Sequence, residues 1–374
     1  MSSSSSFPTV TRRLLTRKDA LNHSQLDSVP LAPLAPGEAL LRVDRVALTT
    51  NNITYAAFGD AMNYWGFFPT GDAAWGHMPV WGFADVVASG VEGLAVGERF
   101  YGYFPIASHL RVQAERVTPR GFYDGAPHRK ALTSAYNQYT RCTQDPAYRP
   151  EWEDYQMLLR PLFITSFMLA DFLQDNHFFG AKQLVFSSAS SKTAFGTAFA
   201  LEEYADRGVK TIALTSARNR GFVESLGCYE EVVAYNELNA LDASVPTLYV
   251  DFSGDAELRR DLHRHFGSRL VYDCYAGSAQ NTDFLRADAS LPGPAPQFYF
   301  APIQIKKRNA DWGHAVVNQR FNDAQLAFIR RVSDADAPWM QLAQHPGFEA
   351  AQQLIADLHA GRINPLLGHL VTLA

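Results

Sequence analysis

"QLVFSSASSKTAFGTAFALEEYADRGVKTIALTSARNRGF", residues Gln183–Phe222, decides the fold. An apolar run, Leu184–Phe186, meets a turn made mostly of small residues, Ser187–Ala194. A helical pattern, Thr193–Ala205, follows, and then a second apolar run, Thr211–Leu214. Strand, turn, helix and strand in that order form a βαβ unit, whose strands lie parallel in one sheet. The turn lacks the glycines that let a backbone approach a pyrophosphate. Ser191, Lys192 and Ala194 stand where they are expected, although serine and alanine are small and serine hydroxyls can donate to phosphate. Lys192 has two readings: its ammonium pairs with a phosphate, or its side chain obstructs one.

The second strand runs into "TSARN", Thr215–Asn219, without the carboxylate that holds a ribose 2′-hydroxyl in an NAD site. Ser216, Arg218 and Asn219 occupy that place, and an arginine beside hydroxyls suits a 2′-phosphate, hence NADP. Alternatively, Arg218 and Arg220 start a solvated helix.

Working outward, strands and helices keep alternating. A helix is expected over Leu162–Gln174, and a short one over Phe222–Leu226 stopped by Gly227. Further strands are expected at Glu231–Ala234, Thr247–Phe252 and Ser268–Tyr272. The N-terminal third is strand-rich instead: Leu40–Leu48, Phe83–Ala88, Arg99–Phe104 and His109–Val112 are short apolar segments punctuated by glycine, as in a compact β-barrel. Gly121–Pro150 reads as a long connecting loop. A tail helix over Gly347–Leu358 precedes "RINPLLGHLVTLA", a candidate closing strand.

The chain has 374 residues, 47% hydrophobic and 19% charged, which suits two folded domains. Its net charge of -5 provides no basic field for nucleic acid or an anionic membrane. Cys142, Cys228 and Cys274 form no CxxC pair, so neither a disulfide framework nor a structural zinc lobe is expected. The serine tract Met1–Ser6 is no secretory signal, and the apolar run Leu158–Leu173 is too short to span a bilayer. A soluble cytoplasmic protein is the expectation.

Several segments in order resemble the medium-chain dehydrogenase/reductase superfamily, on its zinc-free quinone- and enoyl-reductase side. They are "LRVDRVALTTNNITYAAFG", "MPVWGFADVVASGVEGLAVGERFYGYFPIASHLRVQAERV", "RPLFITSFMLADFL" and the opening stretch continued through "VESLGCYEEVVAY". The resemblance implies an α/β protein: a GroES-like β-barrel catalytic domain over 1–155, completed by 305–374, and a Rossmann-type doubly wound parallel-sheet domain over 156–304. It also implies NADP as cofactor, held by Asn51, Ser188, Ser190, Ser191, Lys192, Thr193, Ser216, Arg218 and Asn219. It places the active site in a cleft between the domains and suggests a possible homodimer. Zinc members carry Cys and His ligands where this chain has Thr50-Asn51-Asn52 and Trp81-Gly82-Phe83, so no metal is expected.

Without a metal, hydride transfer to a conjugated carbonyl needs polarisation of the oxygen and a proton donor. Tyr64 follows Gly59 about where zinc-free enoyl reductases carry a proton-donating tyrosine, and Asn52 and Tyr55 are the next catalytic candidates. Tyr64, Trp65, Phe67, Phe68, Trp75 and Trp81 either line a substrate pocket or form core. Lys306, Lys307 and Arg308 either hold an acidic substrate or make a solvated edge. Asp251 and Asp273, at strand ends, either face a ligand or cap helices. The expected function is NADPH-dependent reduction of an enone, enoyl thioester, quinone or simple carbonyl. The alternative is a non-catalytic or regulatory NADP-binding protein.

Overall fold

The computed structural model describes residues 7–204, 208–277 and 290–373. The serine tract and the expected helix end at Ala205 lie outside them. The chain divides into two compact units, 1–158 with 341–374, and 159–340.

The first unit opens with a hairpin outside the expected strands, β1 (Val10–Arg17) and β2 (Ala20–Pro30). β3 (Glu38–Leu48) follows, then helix α1 (Thr50–Ala57), the short β4 (Trp75–Gly76), β5 (Pro79–Ser89), β6 (Arg99–Pro105) and β7 (His109–Thr118). The expected loop holds two more strands, β8 (Gly121–Asp124) and β9 (Gln138–Arg141). Pairing runs β3-β5-β6-β9-β8-β7 and returns to β3, closing a six-stranded barrel, which removes the open edges of a sheet. Inward apolar side chains, among them Leu41, Val43, Val80, Phe100, Phe104, Val112 and Phe122, fill it. Ions staple the outside. Arg99 pairs with Asp44, Asp85 and Glu153, and Arg141 with Glu98, so the "GERF" stretch supplies two of the clasps.

The second unit is reached through α2 (Glu153–Asp175), which starts nine residues before the expected helix. With the turn before it, 150–175 is long and apolar enough to cross a membrane, but most of that stretch is buried within the protein, as for a core helix. The apolar run alone is shorter; acidic Glu153 and Asp154 in the first turn complement the helix dipole and extend the helix. Then come β10 (Gln183–Phe186), α3 (Lys192–Leu201), β11 (Lys210–Thr215), α4 (Arg220–Leu226) and β12 (Glu231–Ala234). β13 (Thr247–Asp251), α5 (Ala256–Phe266), β14 (Leu270–Tyr275) and the two-residue β15 (Gln297–Phe298) complete the sheet. Gly227 ends α4 in the left-handed conformation, as its position in the sequence suggests. All pairs are parallel, in the order β12-β11-β10-β13-β14-β15. The direction of winding reverses between β10 and β13, the switch point of a doubly wound sheet.

Two helices, α6 (Ala301–Trp312) and α7 (His314–Val332), belong to this second unit, so the first unit resumes at Gln341 and not at 305. The reason is packing. Phe328 of α7 stacks on Phe163 of α2 with centroids 4.3 Å apart, and Arg308 of α6 binds Asp171 and Asp175 of α2. The chain then completes the barrel unit with β16 (Gln341–Pro346), α8 (Gly347–His359) and β17 (Leu367–Thr372). β17 pairs antiparallel with β3 and is the expected closing strand.

Candidate functional site

The first unit gathers phenols. Tyr64 begins a short helical turn, Tyr64–Phe67, and its hydroxyl lies 3.4 Å from that of Tyr136, which comes from the segment between β8 and β9. Tyr55, on α1, has its ring centroid 4.8 Å from Tyr64, and its hydroxyl accepts from Trp81 Nε1 at 3.4 Å. Tyr103, on β6, stands 4.7 Å from Tyr136 and 5.7 Å from Tyr55 between ring centroids. The structure therefore brings together Tyr55 and Tyr64, two of the expected residues, and adds Tyr103 and Tyr136, which the sequence does not single out.

Burial sets the protonation of this nest, because phenolates lose their hydration there. Tyr55 is pushed up to about 12 by burial and by Tyr64, against hydrogen bonds from Trp81, Asn51 and Tyr136. Tyr103 and Tyr136 are pushed well above the ordinary phenol value, burial again leading. Tyr64 is also raised by burial, but there the Tyr136 hydroxyl works the other way, favouring the Tyr64 phenolate. Tyr64 thus combines a half-buried, raised phenol with a neighbour that favours its anion. The Tyr103 hydroxyl is buried without a hydrogen-bond partner among the described residues, a cost that a polar guest would relieve.

Arg129 holds Tyr136 in place. Its buried guanidinium binds Asp124 at 2.5 Å and the Tyr139 hydroxyl at 3.1 Å, and donates to the Tyr136 carbonyl at 3.2 Å. It also lies over the rings of Phe67 and Phe68. Both phenylalanines are core, so the aromatic run divides. Phe67, Phe68 and Trp81 pack in the phenol nest, while Trp65 and Trp75 line a separate cavity of about 300 Å³ with Lys18, Asp60 and Asp72.

Asn52 does not fit the catalytic part expected of it. Its Oδ1 accepts from the Thr49 backbone at 2.7 Å and its Nδ2 donates to the Pro79 carbonyl at 2.9 Å. With both ends of the amide engaged and the residue buried, it positions α1 against β5. Asn51, beside it, is the asparagine that favours the Tyr55 phenolate. His77 is a core histidine, held neutral by burial, which depresses it to about 3. Among the described residues no three His, Cys, Asp or Glu side chains stand together as a metal site requires.

The second unit places the serine turn at the carboxyl end of β10, against the switch point. Ser187 donates to Asp251 at 2.8 Å and accepts from the backbone of Phe252 and Ser253, so it ties the ends of β10 and β13 together. Ser188 has a φ of +47°, the left-handed region that favours glycine. The position where glycine is missing is therefore Ser188, and not Ser191, Lys192 or Ala194. Its backbone N–H donates to the Tyr235 hydroxyl at 2.9 Å, and Tyr229 donates to the Ala189 carbonyl at 3.1 Å, so two tyrosines brace the turn from outside. Ser191 is the N-cap of α3, accepting from the Ala194 backbone at 3.3 Å. Thr193 lies in the first turn of the helix, and its carbonyl accepts from Ser166 at 2.8 Å. A Cβ on Gly196 would come within 2.9 Å of Ser166, so this glycine allows α3 to lie close on α2.

The two turns of the nucleotide half meet. Asn219 donates to the Ser190 hydroxyl at 3.2 Å, joining the end of β11 to that of β10. Ser216 precedes the turn that carries Arg218, which is exposed. The Ser188 and Ser216 hydroxyls are both buried without a hydrogen-bond partner among the described residues. Lys192 is partly exposed, and desolvation of its ammonium lowers it to about 8. An anion at the turn would reverse that shift. Two orphaned hydroxyls, a helix N-terminus and two cations fit a phosphorylated ligand.

The remaining charged candidates are structural. Lys307 binds Asp175 and Asp311, and Arg308 is shared among Asp171, Asp175 and Asp311. Asp251 is not the cap of the helix that follows it, since Asp255 caps α5, accepting from Glu257 and Leu258, while Asp273 is engaged by His263.

Solved structures share this fold at low sequence identity. CurA from Vibrio vulnificus, in complex with NADPH, matches with a TM-score of 0.60 and 14% identity over 97% of this chain and 99% of its own. The yhdH oxidoreductase from Salmonella enterica, in complex with NADP, gives 0.52 and 14% over 97% and 100%. A thermostable alcohol dehydrogenase from Pyrobaculum aerophilum gives 0.53 and 13% over 97% and 99%. What they share with this chain is the fold, a closed β-barrel unit and a doubly wound parallel sheet. No curated protein matches the chain in sequence. The family model that does match spans residues 46–364 and is described as a protein of unknown function, DUF2855, and the chain belongs to that family.

Proposed function

We propose that the protein is an NADPH-dependent, zinc-independent oxidoreductase that reduces an α,β-unsaturated or simple carbonyl compound, with Tyr64 as proton donor. The observation that carries this reading is the Tyr64–Tyr136 phenol pair, in which the second hydroxyl stabilises the phenolate left on the first. Support for the cofactor comes from the switch-point turn, the orphaned Ser188 and Ser216 hydroxyls and the exposed Arg218 that follows Ser216. NADPH and NADP stand in two of the solved structures that share the fold. Zinc independence is supported by the residue types at Thr50–Asn52 and Trp81–Phe83, none of which offers a thiolate or imidazole.

When bound, the reduced nicotinamide supplies the hydride. The protein's own residues do the rest. Ser188, Ser190, Ser216 and Lys192 donate to the phosphates, and Arg218 meets the 2′-phosphate. The Tyr64 hydroxyl donates to the substrate as negative charge develops and then releases its proton. Tyr136 donates to the resulting phenolate, and Asn51 with Trp81 holds Tyr55 as the wall of the pocket. The apolar rings exclude water and favour a neutral, unsaturated substrate. Three buried free cysteines suit a reducing, cytoplasmic setting.

Ser188 in its left-handed conformation favours a second reading, a cofactor-binding protein that has lost its chemistry. Incubation with NADPH and a panel of enones, enoyl thioesters and quinones separates the two. Cofactor oxidation that depends on Tyr64 supports the reductase. Tight NADPH binding with no turnover across the panel supports the second reading, and no binding at all overturns both.

A further inference from the structure

Behind the cofactor turn lies a chain of buried charges. The Asp251 carboxylate accepts from Ser187, from both the backbone and the hydroxyl of Ser253, and from the Gly254 backbone, and its second oxygen pairs with Arg259. Arg259 also stands 3.5 Å from Asp273, and Asp273 takes His263 Nε2 at 2.8 Å. The other ring nitrogen, Nδ1, faces the Pro292 carbonyl at 2.7 Å. The four charged side chains are each at most 6% exposed.

The hydrogen-bond partners of His263 favour its doubly protonated form. Each ring nitrogen faces an oxygen, the Pro292 carbonyl and the Asp273 carboxyl, and with Asp273 ionised both nitrogens carry hydrogen, which makes the ring an imidazolium. Charge balance requires one proton on the His263–Asp273 pair. Asp251 and Asp273 bring two negative charges and Arg259 one positive, so a cationic His263 makes the buried set neutral. Buried charge left unbalanced is strongly unfavourable. Burial itself opposes the imidazolium, but Asp273 and the Pro292 carbonyl outweigh it and raise His263 above 6.5. Burial also raises Asp273, against the pull of His263 and Arg259. The facing groups are Asp273 on β14, Arg259 one turn back on α5, Asp251 on β13, and the carbonyl of Pro292.

We propose that Asp251, Arg259, Asp273 and His263 form a charge-balanced strut that positions the cofactor turn through Ser187, and that the strut holds only while His263 keeps its second proton. The part that concerns the cofactor rests on the NADPH reading above. The sign follows from linkage: His263 contributes stability fully below its unfolded value, and that contribution is lost as pH rises through its folded one. NADPH affinity therefore falls as pH rises. Lys192 adds a fall of its own near pH 8, which is independent of His263.

The test compares wild type with His263→Gln and with the double variant His263→Gln/Asp273→Asn, which removes one charge of each sign and keeps Asp251 and Arg259 paired. Histidine ring NMR of the wild type shows His263 as imidazolium at neutral pH. NADPH affinity and amide exchange at residues 187–191 are then followed between about pH 6 and about pH 9. The single variant binds weakly and exchanges fast at every pH. The double variant recovers both properties and lacks part of the wild type's pH dependence, a rescue that a purely structural role for His263 does not give. A neutral His263 ring at pH 7, or the same pH dependence in wild type and double variant, overturns the strut. If NADPH fails to bind at any pH while the NMR and exchange results hold, the cofactor reading fails and the strut stands.

Discussion

In the barrel unit, two buried phenols, Tyr55 and Tyr103, and two half-buried ones, Tyr64 and Tyr136, pack against one another, against Trp81 and against phenylalanine rings. In the sheet unit, serine hydroxyls are buried against a carboxylate, backbone amides and a second turn. Both regions leave buried hydroxyls unpartnered among the described residues: Tyr103 in the first, Ser188 and Ser216 in the second. The first environment makes a proton costly to remove and suits a weak acid next to an apolar substrate. The second is rich in donors and cations and suits phosphate. The contrast teaches that the proposed chemistry and the proposed binding fall to different units, so variants can break one without the other.

The largest separation is expected at Tyr64. Tyr64→Phe lowers kcat by about 10²- to 10⁴-fold and leaves NADPH affinity essentially unchanged. Tyr136→Phe costs less and moves the alkaline limb of the pH–rate profile upward, because Tyr64 loses the donor that favours its phenolate. Steady-state kinetics beside NADPH titration check both. A parallel loss of cofactor affinity in Tyr64→Phe would erase the contrast.

Arg129→Met attacks the support of the phenol nest. It leaves Asp124 buried without its partner, at a cost of about 3–5 kcal/mol, the range for breaking a buried pair, read by urea denaturation. In the other unit, Arg218→Ala removes one charge-assisted contact, worth about 1.5–3 kcal/mol. NADPH affinity therefore falls roughly ten- to a hundredfold, while NADH affinity is unchanged. Equal losses for both cofactors would remove Arg218 from 2′-phosphate recognition.

The smallest expected effect is at Ser188. Ser188→Gly relieves the left-handed strain and removes an unpartnered hydroxyl, against the extra freedom glycine gives the unfolded chain. The balance favours the variant by about 1 kcal/mol, seen as a raised Tm. A lowered Tm would mean that the Ser188 side chain is held by a contact of its own.

The sheet unit is largely legible in the sequence because its strands are buried and read as apolar runs, several of them closed by a small-residue turn. The barrel strands are legible in another way, as short apolar segments between glycine breaks. Leu40–Leu48 is one such segment, and its Leu41 and Val43 face the barrel core. The hairpin at residues 10–30 carries no such signal, because most of β2 is polar and exposed.

The sites are less legible. Tyr136 sits in a stretch of tyrosines, prolines and polar residues with no periodicity, and the Arg129 clasp fixes where its backbone runs. Ser187 and Asp251 are 64 residues apart and meet because their strands are neighbours in the sheet. One signal is present in the sequence: "YVDF" and "VYDC" each carry an aspartate inside an apolar run, and an aspartate buried there needs a cation. Arg259 and His263, one turn apart on α5, are the cations that meet that need.

The proposed function depends most on the sheet unit binding a nicotinamide dinucleotide that bears a 2′-phosphate. Calorimetric titration of the whole chain with NADPH and with NADH tests it most directly. A single NADPH site on each chain, with affinity at least about tenfold weaker for NADH, is the expected result. No heat with either cofactor, or equal affinity for both, contradicts it.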